Sequence, residues 1–286
     1  MQIYELKYSN TNTYLIEGTS GYILFDTGWA GSFPAFCAAA GALHIPVQKI
    51  SYILISHFHP DHMGIAQEIA DLGPVIALAD VQQNTTHAAD EIFRKDPRMR
   101  FVPIRDERVK WFKTASAEED GRALLKEVGI DGDILYTPGH SDDSISLCLD
   151  DGSLFVGDLN PLYELEMHLG TQIEESWKKL LARSPRTIYY GHARTWHEEE
   201  QAGRALPAPT EEAEDRTQGE HSRDGGRLYA LTAQIMKMID KGLSLERIRK
   251  KTGADPVFIE DVARMYLTHQ NVGVQGILDR IEIKGK

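Results

Sequence analysis

The segment SHFHPDHMG, residues 56–64, decides how this sequence is interpreted. Four side chains that can bind a metal stand close together there in an H-x-H-x-D-H pattern: His57, His59, Asp61 and His62. Imidazole suits zinc, iron, manganese and similar first-row metals, and a carboxylate adds negative charge for a second ion. Residues two apart in an extended turn can reach one metal, and the Asp–His pair can bend toward a neighbouring ion. The pattern therefore predicts a metal site rather than a solvated polar loop.

The segments around the motif predict an α/β domain. The apolar run ISYILIS, residues 50–56, has the length and continuity of a strand that is buried on both faces. Short runs rich in β-branched and aromatic residues precede it, and residues 32–43 predict a helix. A further strand is expected over RFVPI, residues 100–104. Strands and helices alternate as far as residue 193, with hairpins between some strands, which indicates mixed rather than purely parallel sheets.

Three more candidate ligands follow predicted strands later in the chain. They are His140 in YTPGHS, Asp158 in FVGDLN and His192 in YYGHAR. A glycine precedes each of them, which lets the backbone turn sharply and bring the side chain close. A single Gly-His pair is most often an ordinary turn, but three such turns added to the first motif predict ligands that converge on one edge of a sheet.

Together these motifs resemble the metallo-β-lactamase superfamily, and in particular its glyoxalase II-like and lactonase-like binuclear members. The resemblance covers about residues 1–197, from the FDTG turn to the last GH pair. It implies an αββα sandwich with the metals at one edge of two sheets. It also implies that one metal is bound by the first set of ligands, a second metal by another set, and both by a bridging carboxylate. The first set is His57, His59 and His140, the second set is Asp61, His62 and His192, and the bridging carboxylate is Asp158.

The resemblance further implies hydrolysis by a metal-bridged hydroxide. Two divalent ions are expected, with zinc first and iron or manganese as alternatives, because the ligand types tolerate each of these metals. The substrate would be a small-molecule ester, thioester, lactone or phosphoester. Asp61 is also a candidate catalytic proton acceptor, and Asp26 in FDTG is expected to orient a ligand rather than to bind metal. The loop after Asp158 adds candidates for substrate contacts: Tyr163, Met167 and His168.

The C-terminal part predicts a different kind of domain. We expect a catalytic domain at 1–197, a polar linker or mobile loop at 198–227, and a small all-α domain at 228–286 that resembles a helix-turn-helix or winged-helix unit. The helix that would enter a nucleic-acid groove contains Glu260 and Asp261 beside only Arg264, so nucleic acid is not expected as a partner. Packing against the catalytic domain, covering the site and forming a homodimer stay open as roles.

Composition narrows the class of protein. The chain has 286 residues and a formal net charge of -12, and residues 1–200 contain 17 Lys and Arg against 30 Asp and Glu. An acidic domain repels polyanions, which favours a small-molecule substrate. Only two cysteines occur, and the sequence contains neither a signal peptide nor an apolar run of membrane-spanning length. A cytoplasmic enzyme without a membrane anchor is expected.

Three other functions remain open at the level of sequence. The same ligands would suit a metal-dependent nuclease or phosphodiesterase. Persulfide dioxygenases resemble this motif and use one iron. A catalytically idle binding module stabilised by metal is the third alternative, and it would require that a carboxylate fail to contact metal or that a side chain fill the cavity.

Overall fold

The structure is a computed structural model, and it describes most of the chain. The described residues are 1–95, 100–114, 120–201, 223–240, 243, 245–256, 258–259 and 262–263. By its internal contacts the chain divides into two compact units, Met1–Pro209 and Thr210–Lys286.

The first unit contains a six-stranded mixed sheet in the order β1-β2-β3-β4-β5-β6. Its strands are β1 (Ile3–Leu6), β2 (Thr13–Glu17), β3 (Tyr22–Phe25), β4 (Ile50–Leu54), β5 (Val75–Ala79) and β6 (Lys110–Phe112). The first three strands form the predicted antiparallel meander, and β3 to β6 are parallel. Because a parallel connection needs a crossover, helices fill the intervals between these strands. They are α1 (Phe33–Ala42), α2 (Pro60–Met63), α3 (Ala66–Ala70) and α4 (Asp90–Arg94).

A second sheet of five strands has the order β11-β10-β9-β8-β7. Its strands are β7 (Gly132–Tyr136), β8 (Ile145–Leu149), β9 (Ser153–Phe155), β10 (Thr187–Tyr189) and β11 (Trp196–His197). Helix α5 (Asp120–Glu127) precedes the sheet in the chain, and α6 (Gln172–Leu181) connects β9 to β10. The hairpin between β8 and β9 was predicted from its Asp-Asp-Gly turn, and these two strands are antiparallel.

Alternating side chains place the two sheets face to face. On β3, Ile23 and Phe25 point into an apolar cluster that also contains Leu147 and Phe155 of the second sheet. Leu24, between them, points to the opposite face and packs with residues of α1 and α3. A third cluster packs α6 on the outer face of the second sheet. Since neighbouring residues of a strand face opposite sides, this period of two produces helix, sheet, sheet and helix layers. The predicted αββα sandwich is therefore present.

One predicted strand is wrong. Residues 100–104 form no strand, and the edge strand of the first sheet is β6, farther along the chain. Pro103 has no backbone N–H to donate to a ladder. Ile104 is nonetheless buried in the core, and the N–H of Arg105 donates to the side chain of Gln67 at 2.9 Å. The apolar residues of this segment thus reflect burial in a loop, not pairing in a sheet.

The second unit is helical where it is described. Helix α7 (Arg223–Asp240) begins inside the predicted 198–227 linker, and α8 (Leu245–Thr252) follows it. A small apolar cluster joins them: Ile235, Ile248, Ile259 and Val262. Residues 264–286, which include the rest of the expected helix-turn-helix, lie outside the described part of the chain. Among the described residues, no helix combines the length and apolar character that crossing a membrane requires.

Candidate metal centre

The predicted ligands follow the ends of four strands. His57 comes three residues after β4, and His59 is the last extended residue before α2, with Pro60 opening that short helix. Proline suits this first helical position because its missing N–H would have no partner there. His140, Asp158 and His192 come after β7, β9 and β10, respectively. Strands of both sheets therefore deliver ligands to the same edge of the sandwich.

The seven side chains form three overlapping groups. Within each group the candidate ligand atoms lie within 4.8 Å of one another. The groups are His57, His59 and His140; His57, His62 and Asp158; and Asp61, His62 and His192. The first and third groups coincide with the two sets of ligands that the resemblance implies.

Asp158 lies between these two sets. Its Oδ1 is 3.3 Å from Nε2 of His62 and 3.5 Å from Nε2 of His192. Its Oδ2 is 3.6 Å from Nε2 of His140. One carboxylate thus directs one oxygen to each set, which is the arrangement that a bridging ligand requires.

Asp26 holds the side chains of Ser56 and His62 in place. It is buried and has a left-handed backbone conformation with φ of 62°, which a short polar residue such as Asp tolerates better than most. Its carboxylate accepts hydrogen bonds from the backbone N–H of Ser56 at 2.7 Å and from the Ser56 hydroxyl at 2.8 Å. It also contacts Nδ1 of His62 at 2.8 Å. This contact fixes the ring of His62 with Nε2 toward the centre.

Burial and neighbouring charges shift the pKa values of these histidines in different directions. Burial lowers the pKa of His57 well below its ordinary value, and positive charge on His62 would lower it further. The pKa of His59 is lowered for the same two reasons. Neutral imidazole is the form that binds metals, so both side chains are ready to act as ligands.

Neighbouring carboxylates shift the pKa of His62 in the opposite direction. Burial alone would lower the pKa of His62, but Asp158, Asp26 and Asp61 together raise it well above its ordinary value. Burial raises the pKa of Asp61, but His62 and a hydrogen bond from His192 outweigh it and lower the pKa to about 2. A group of carboxylates that stabilises a proton on His62 would equally stabilise a divalent cation in its place.

The polar atoms of the centre fit a bound metal. Among the described residues, Nε2 of His57, Nε2 of His62 and Oδ1 of Asp158 are buried and make no hydrogen bond. A buried polar atom without a partner is costly, and a missing ion is one of its common explanations. The opposite nitrogen of each ring is engaged: Nδ1 of His57 contacts the Ser56 hydroxyl at 3.0 Å, and Nδ1 of His62 contacts Asp26. The donor set is the one that zinc, iron and manganese accept.

Two glycines permit this close packing. A Cβ on Gly157, which has φ of +56°, would lie 2.5 Å from Oγ of Ser56. A Cβ on Gly191 would lie 2.5 Å from Oδ1 of Asp158. No side chain fits at either distance, so Gly157 is required by its positive φ and by the nearby Ser56, and Gly191 is required by the nearby ligand Asp158.

The family model described as "Metallo-beta-lactamase superfamily" matches residues 7–192 of the 286-residue chain. The matched region contains strands β2 to β10 and all seven predicted ligands. The chain belongs to the metallo-beta-lactamase superfamily.

Several relatives of this superfamily are similar in sequence. A "Beta-lactamase-like protein 2 homolog" from Drosophila melanogaster is 29% identical over 193 residues, which are 64% of this chain and 58% of that protein. A protein of the same description from Caenorhabditis elegans is 32% identical over 152 residues, 52% of this chain and 43% of its own length. The fungal "Lactamase-like protein nscB" from Trichophyton equinum is 27% identical over 257 residues, 84% of this chain and 68% of that protein. The chain therefore spans only about half the length of several relatives.

Solved structures share the fold at low sequence identity. The B3 metallo-beta-lactamase BLEG-1 has a TM-score of 0.53 at 18% identity, over 72% of this chain and 98% of its own. A metallo-beta-lactamase family protein from Thermus thermophilus has a TM-score of 0.51 at 17% identity, over 99% of this chain and 94% of its own. At these identities the likeness extends to the fold alone.

Of the three predicted substrate contacts, the structure describes the side chain of His168 alone. His168 is half-buried in the short 3-10 segment Leu162–His168 and belongs to none of the three ligand groups. Its backbone carbonyl accepts hydrogen bonds from Thr171, and its Nε2 is buried. The side chains of Tyr163 and Met167 lie outside the described part of the structure. A role for these three residues in substrate binding stays a prediction.

Sequence reasoning missed several residues that support the ligands. The hydroxyl of Thr11 donates to the backbone carbonyl of Asp61 at 2.7 Å, and the carbonyl of Asn10 contacts Nδ1 of His192 at 3.0 Å. Ser56 opens the decisive segment, yet its role in contacting Asp26 was not predicted. Asp143 accepts hydrogen bonds from both histidine-bearing turns. The only signal for Asp143 in the sequence is its place three residues after His140.

Proposed function

We propose that this chain is a metal-dependent hydrolase with two divalent ions, with zinc as the expected metal and iron or manganese as alternatives. The observation that carries the proposal is the position of Asp158, which presents one carboxylate oxygen to each of two sets of ligands. Unpartnered buried nitrogens in the same place, and membership of the superfamily, support it.

Each set of ligands would hold one ion. The first ion would be held by three histidines, and burial favours the neutral form of His57 and His59. The second would be held by one carboxylate and two histidines. The residues are His57, His59 and His140 for the first ion, and Asp61, His62 and His192 for the second, with Asp158 shared.

The protein would orient the ligands and accept a proton. Divalent ions held in this way lower the pKa of a coordinated water from about 16 toward about 7 and polarise a substrate oxygen. Asp26 keeps Nε2 of His62 directed inward. The carboxylate of Asp61 can accept a proton from the attacking water, and Nε2 of His192 lies 2.9 Å from its Oδ2, which fixes the side chain in position.

A small molecule with an ester, thioester, lactone or phosphoester bond is the proposed substrate class. The ligands support hydrolysis as the reaction, because the ions that they would hold would stabilise negative charge and activate a water as the nucleophile. The acidic character of residues 1–200 favours a small substrate over a polyanion.

Elemental analysis of protein purified without added metal tests the proposal. We expect near two ions per chain in the wild type and a marked loss in Asp158→Ala, because both sets of ligands lose a shared carboxylate. Asp131→Ala is the matched control, since Asp131 is exposed and lies outside the three ligand groups. It should keep the wild-type metal content. Hydrolysis of model esters, lactones and phosphodiesters should then follow the metal content.

Other results would favour the alternative functions. One iron per chain, together with oxidation of thiol substrates under oxygen, would contradict the binuclear hydrolase and support the mononuclear dioxygenase. Absence of metal even after reconstitution would contradict any metalloenzyme and support the binding module.

A further inference from the structure

A buried carboxylate outside the ligand sets connects two of the ligand turns. Asp143 is only 4% exposed and lies in the segment GHSDDS, three residues after His140. Its Oδ2 accepts a hydrogen bond from the backbone N–H of Phe58 at 2.8 Å. Its Oδ1 accepts a hydrogen bond from the hydroxyl of Ser141 at 2.7 Å. Phe58 stands between His57 and His59, and Ser141 follows His140 directly.

Both oxygens of the Asp143 carboxylate accept hydrogen bonds. The hydroxyl of Thr85 donates a third hydrogen bond to Oδ2 at 3.0 Å, from the segment between β5 and α4. Hydrogen bonds to an ionised oxygen are roughly twice as strong as neutral ones, so three donors compensate the burial of this charge. Asp143 belongs to none of the groups that could hold a metal. It therefore acts on the centre through its neighbours.

Other contacts between the two turns cannot replace it. Nε2 of His140 lies 3.1 Å from Nδ1 of His59, but ring nitrogens are the atoms with which histidine binds metals. The N–H of Ile145 donates to the carbonyl of Ser56 at 2.8 Å, which connects the strand ends before the ligands begin. Asp143 is the contact that reaches the peptide between the two histidines of the first turn.

We propose that Asp143 is a positioning residue that holds the His57–His59 turn and the His140 turn at the separation that the first metal ion requires. This inference rests on the proposed function for its metal, and on the hydrogen bonds above for its geometry. The second set of ligands makes no contact with Asp143 among the described residues, so its effect is confined to the first set.

Hydrogen exchange of the metal-free protein tests the geometry without any metal. In Asp143→Ala, the amide of Phe58 should exchange about 10–100-fold faster than in the wild type, because it loses a hydrogen bond to a charged acceptor. Asp143→Asn keeps an acceptor oxygen and should restore most of the protection. Asp142→Ala is the matched control, because Asp142 is the exposed neighbour in the same turn. It should exchange like the wild type.

Titration of the same variants with Co²⁺, monitored by the visible absorption of the ion, tests whether the loss of Asp143 weakens metal binding. Loss of a residue that supports metal ligands typically costs about 10–100-fold in affinity. We expect Asp143→Ala to weaken one of two binding steps by this factor and to leave the other unchanged, with Asp143→Asn between it and the wild type. A general loss of stability would instead weaken both steps together.

Each outcome decides a separate claim. Wild-type protection of Phe58 in Asp143→Ala, or equal weakening of both binding steps, would overturn the role of Asp143. A wild-type chain that binds no Co²⁺ would contradict the proposed function, and the exchange of Phe58 alone would then decide whether Asp143 positions the turn.

Discussion

Two clusters of histidine and aspartate in this domain differ in what they can do. One is the buried metal centre. The other is the His87 clamp, which consists of His87, Asp90 and Asp106 on the surface. In the clamp, Nδ1 of His87 lies 2.9 Å from Oδ2 of Asp90, and Nε2 lies 3.1 Å from Oδ1 of Asp106. Both ring nitrogens are therefore already bound to carboxylates, and the side chain is 45% exposed.

Two histidines of the metal centre have a different arrangement. Nε2 of His57 and Nε2 of His62 are buried and make no hydrogen bond among the described residues. The opposite nitrogens of both rings are held from behind by Ser56 and Asp26. Residue types alone do not distinguish the two clusters. The metal centre is marked by three buried ligand atoms that make no hydrogen bond among the described residues: Nε2 of His57, Nε2 of His62 and Oδ1 of Asp158.

The pKa values of His57 and His87 are also shifted in opposite directions. Burial lowers the pKa of His57 well below its ordinary value. Burial is slight at His87, and hydrogen bonds to Asp90 and Asp106 raise its pKa. A neutral imidazole is a ligand, whereas a protonated one is an ion-pair partner with two donors. The protonated form is therefore favoured at His87, whereas the neutral form that binds a metal is favoured at His57 and His59.

The largest expected effect concerns the carboxylate behind the centre. Asp26→Ala should lower the free energy of unfolding of the metal-free protein by about 3–5 kcal/mol, because it removes one partner of a buried hydrogen-bonded pair. It also places alanine at φ of 62°, which is unfavourable. Urea denaturation measures the change. Asp26→Asn should cost less, since asparagine tolerates this conformation and keeps one acceptor.

An exposed aspartate supplies the control for this difference. Asp71 pairs with Arg105 at 2.8 Å on the surface. Asp71→Ala should cost only about 0–1 kcal/mol, as exposed ion pairs generally do. Equal costs for Asp26→Ala and Asp71→Ala would contradict the claim that the centre depends on buried support.

A glycine tests how closely the ligands are packed. A Cβ at Gly191 would meet Oδ1 of Asp158 at 2.5 Å and Cε1 of His62 at 2.9 Å. Gly191→Ala should therefore displace the shared carboxylate and reduce the metal content toward that of Asp158→Ala. Overpacking should also cost about 1–3 kcal/mol of stability. Metal analysis and denaturation of the same preparation separate the two effects.

Gly41 in α1 is the matched control, because a Cβ there would meet nothing within 4 Å. Gly41→Ala should leave the metal content unchanged and stabilise the helix by about 0.5–1 kcal/mol. Normal metal binding by Gly191→Ala would show that the ligands have more room than the structure gives them.

The structure brings the seven predicted ligands together, and the sequence could indicate them because they follow strand ends. Two local patterns carry this information. One is the apolar run that stops at Ser56, and the other is the Gly-His or Gly-Asp pair that follows each of three other strands. The alternation of strands and helices predicted an α/β domain with mixed sheets, and the resemblance to the superfamily implied its αββα layers. The burial of Leu24 on one face and of Ile23 on the other agrees with that interpretation.

What the sequence did not predict depends on contacts between distant segments. Asp143 meets Phe58 across 85 positions of the chain, and Thr11 meets Asp61 across 50. An aspartate in a polar turn looks the same whether it faces water or a peptide N–H from another loop. The same reason explains the wrong strand at residues 100–104, where Ile104 is buried and Phe101 and Val102 are partly buried without pairing in a sheet.

The smallest expected effect concerns the His87 clamp, and its sign depends on pH. The pKa of His87 is raised in the folded protein, so its contribution to stability is complete below the unfolded value of about 6.5 and is lost as the pH rises through the folded value. His87→Ala should lower the free energy of unfolding by about 0.2–1 kcal/mol at pH 6 and by almost nothing at pH 9, as expected for an exposed ion pair. Denaturation at both pH values measures this loss of stability. In an Asp106→Asn background, His87→Ala should cost less at pH 6, because the two residues share one interaction. A loss of equal size at both pH values would mean that His87 contributes through packing, and the contrast between a protonated His87 and a neutral His57 would fail.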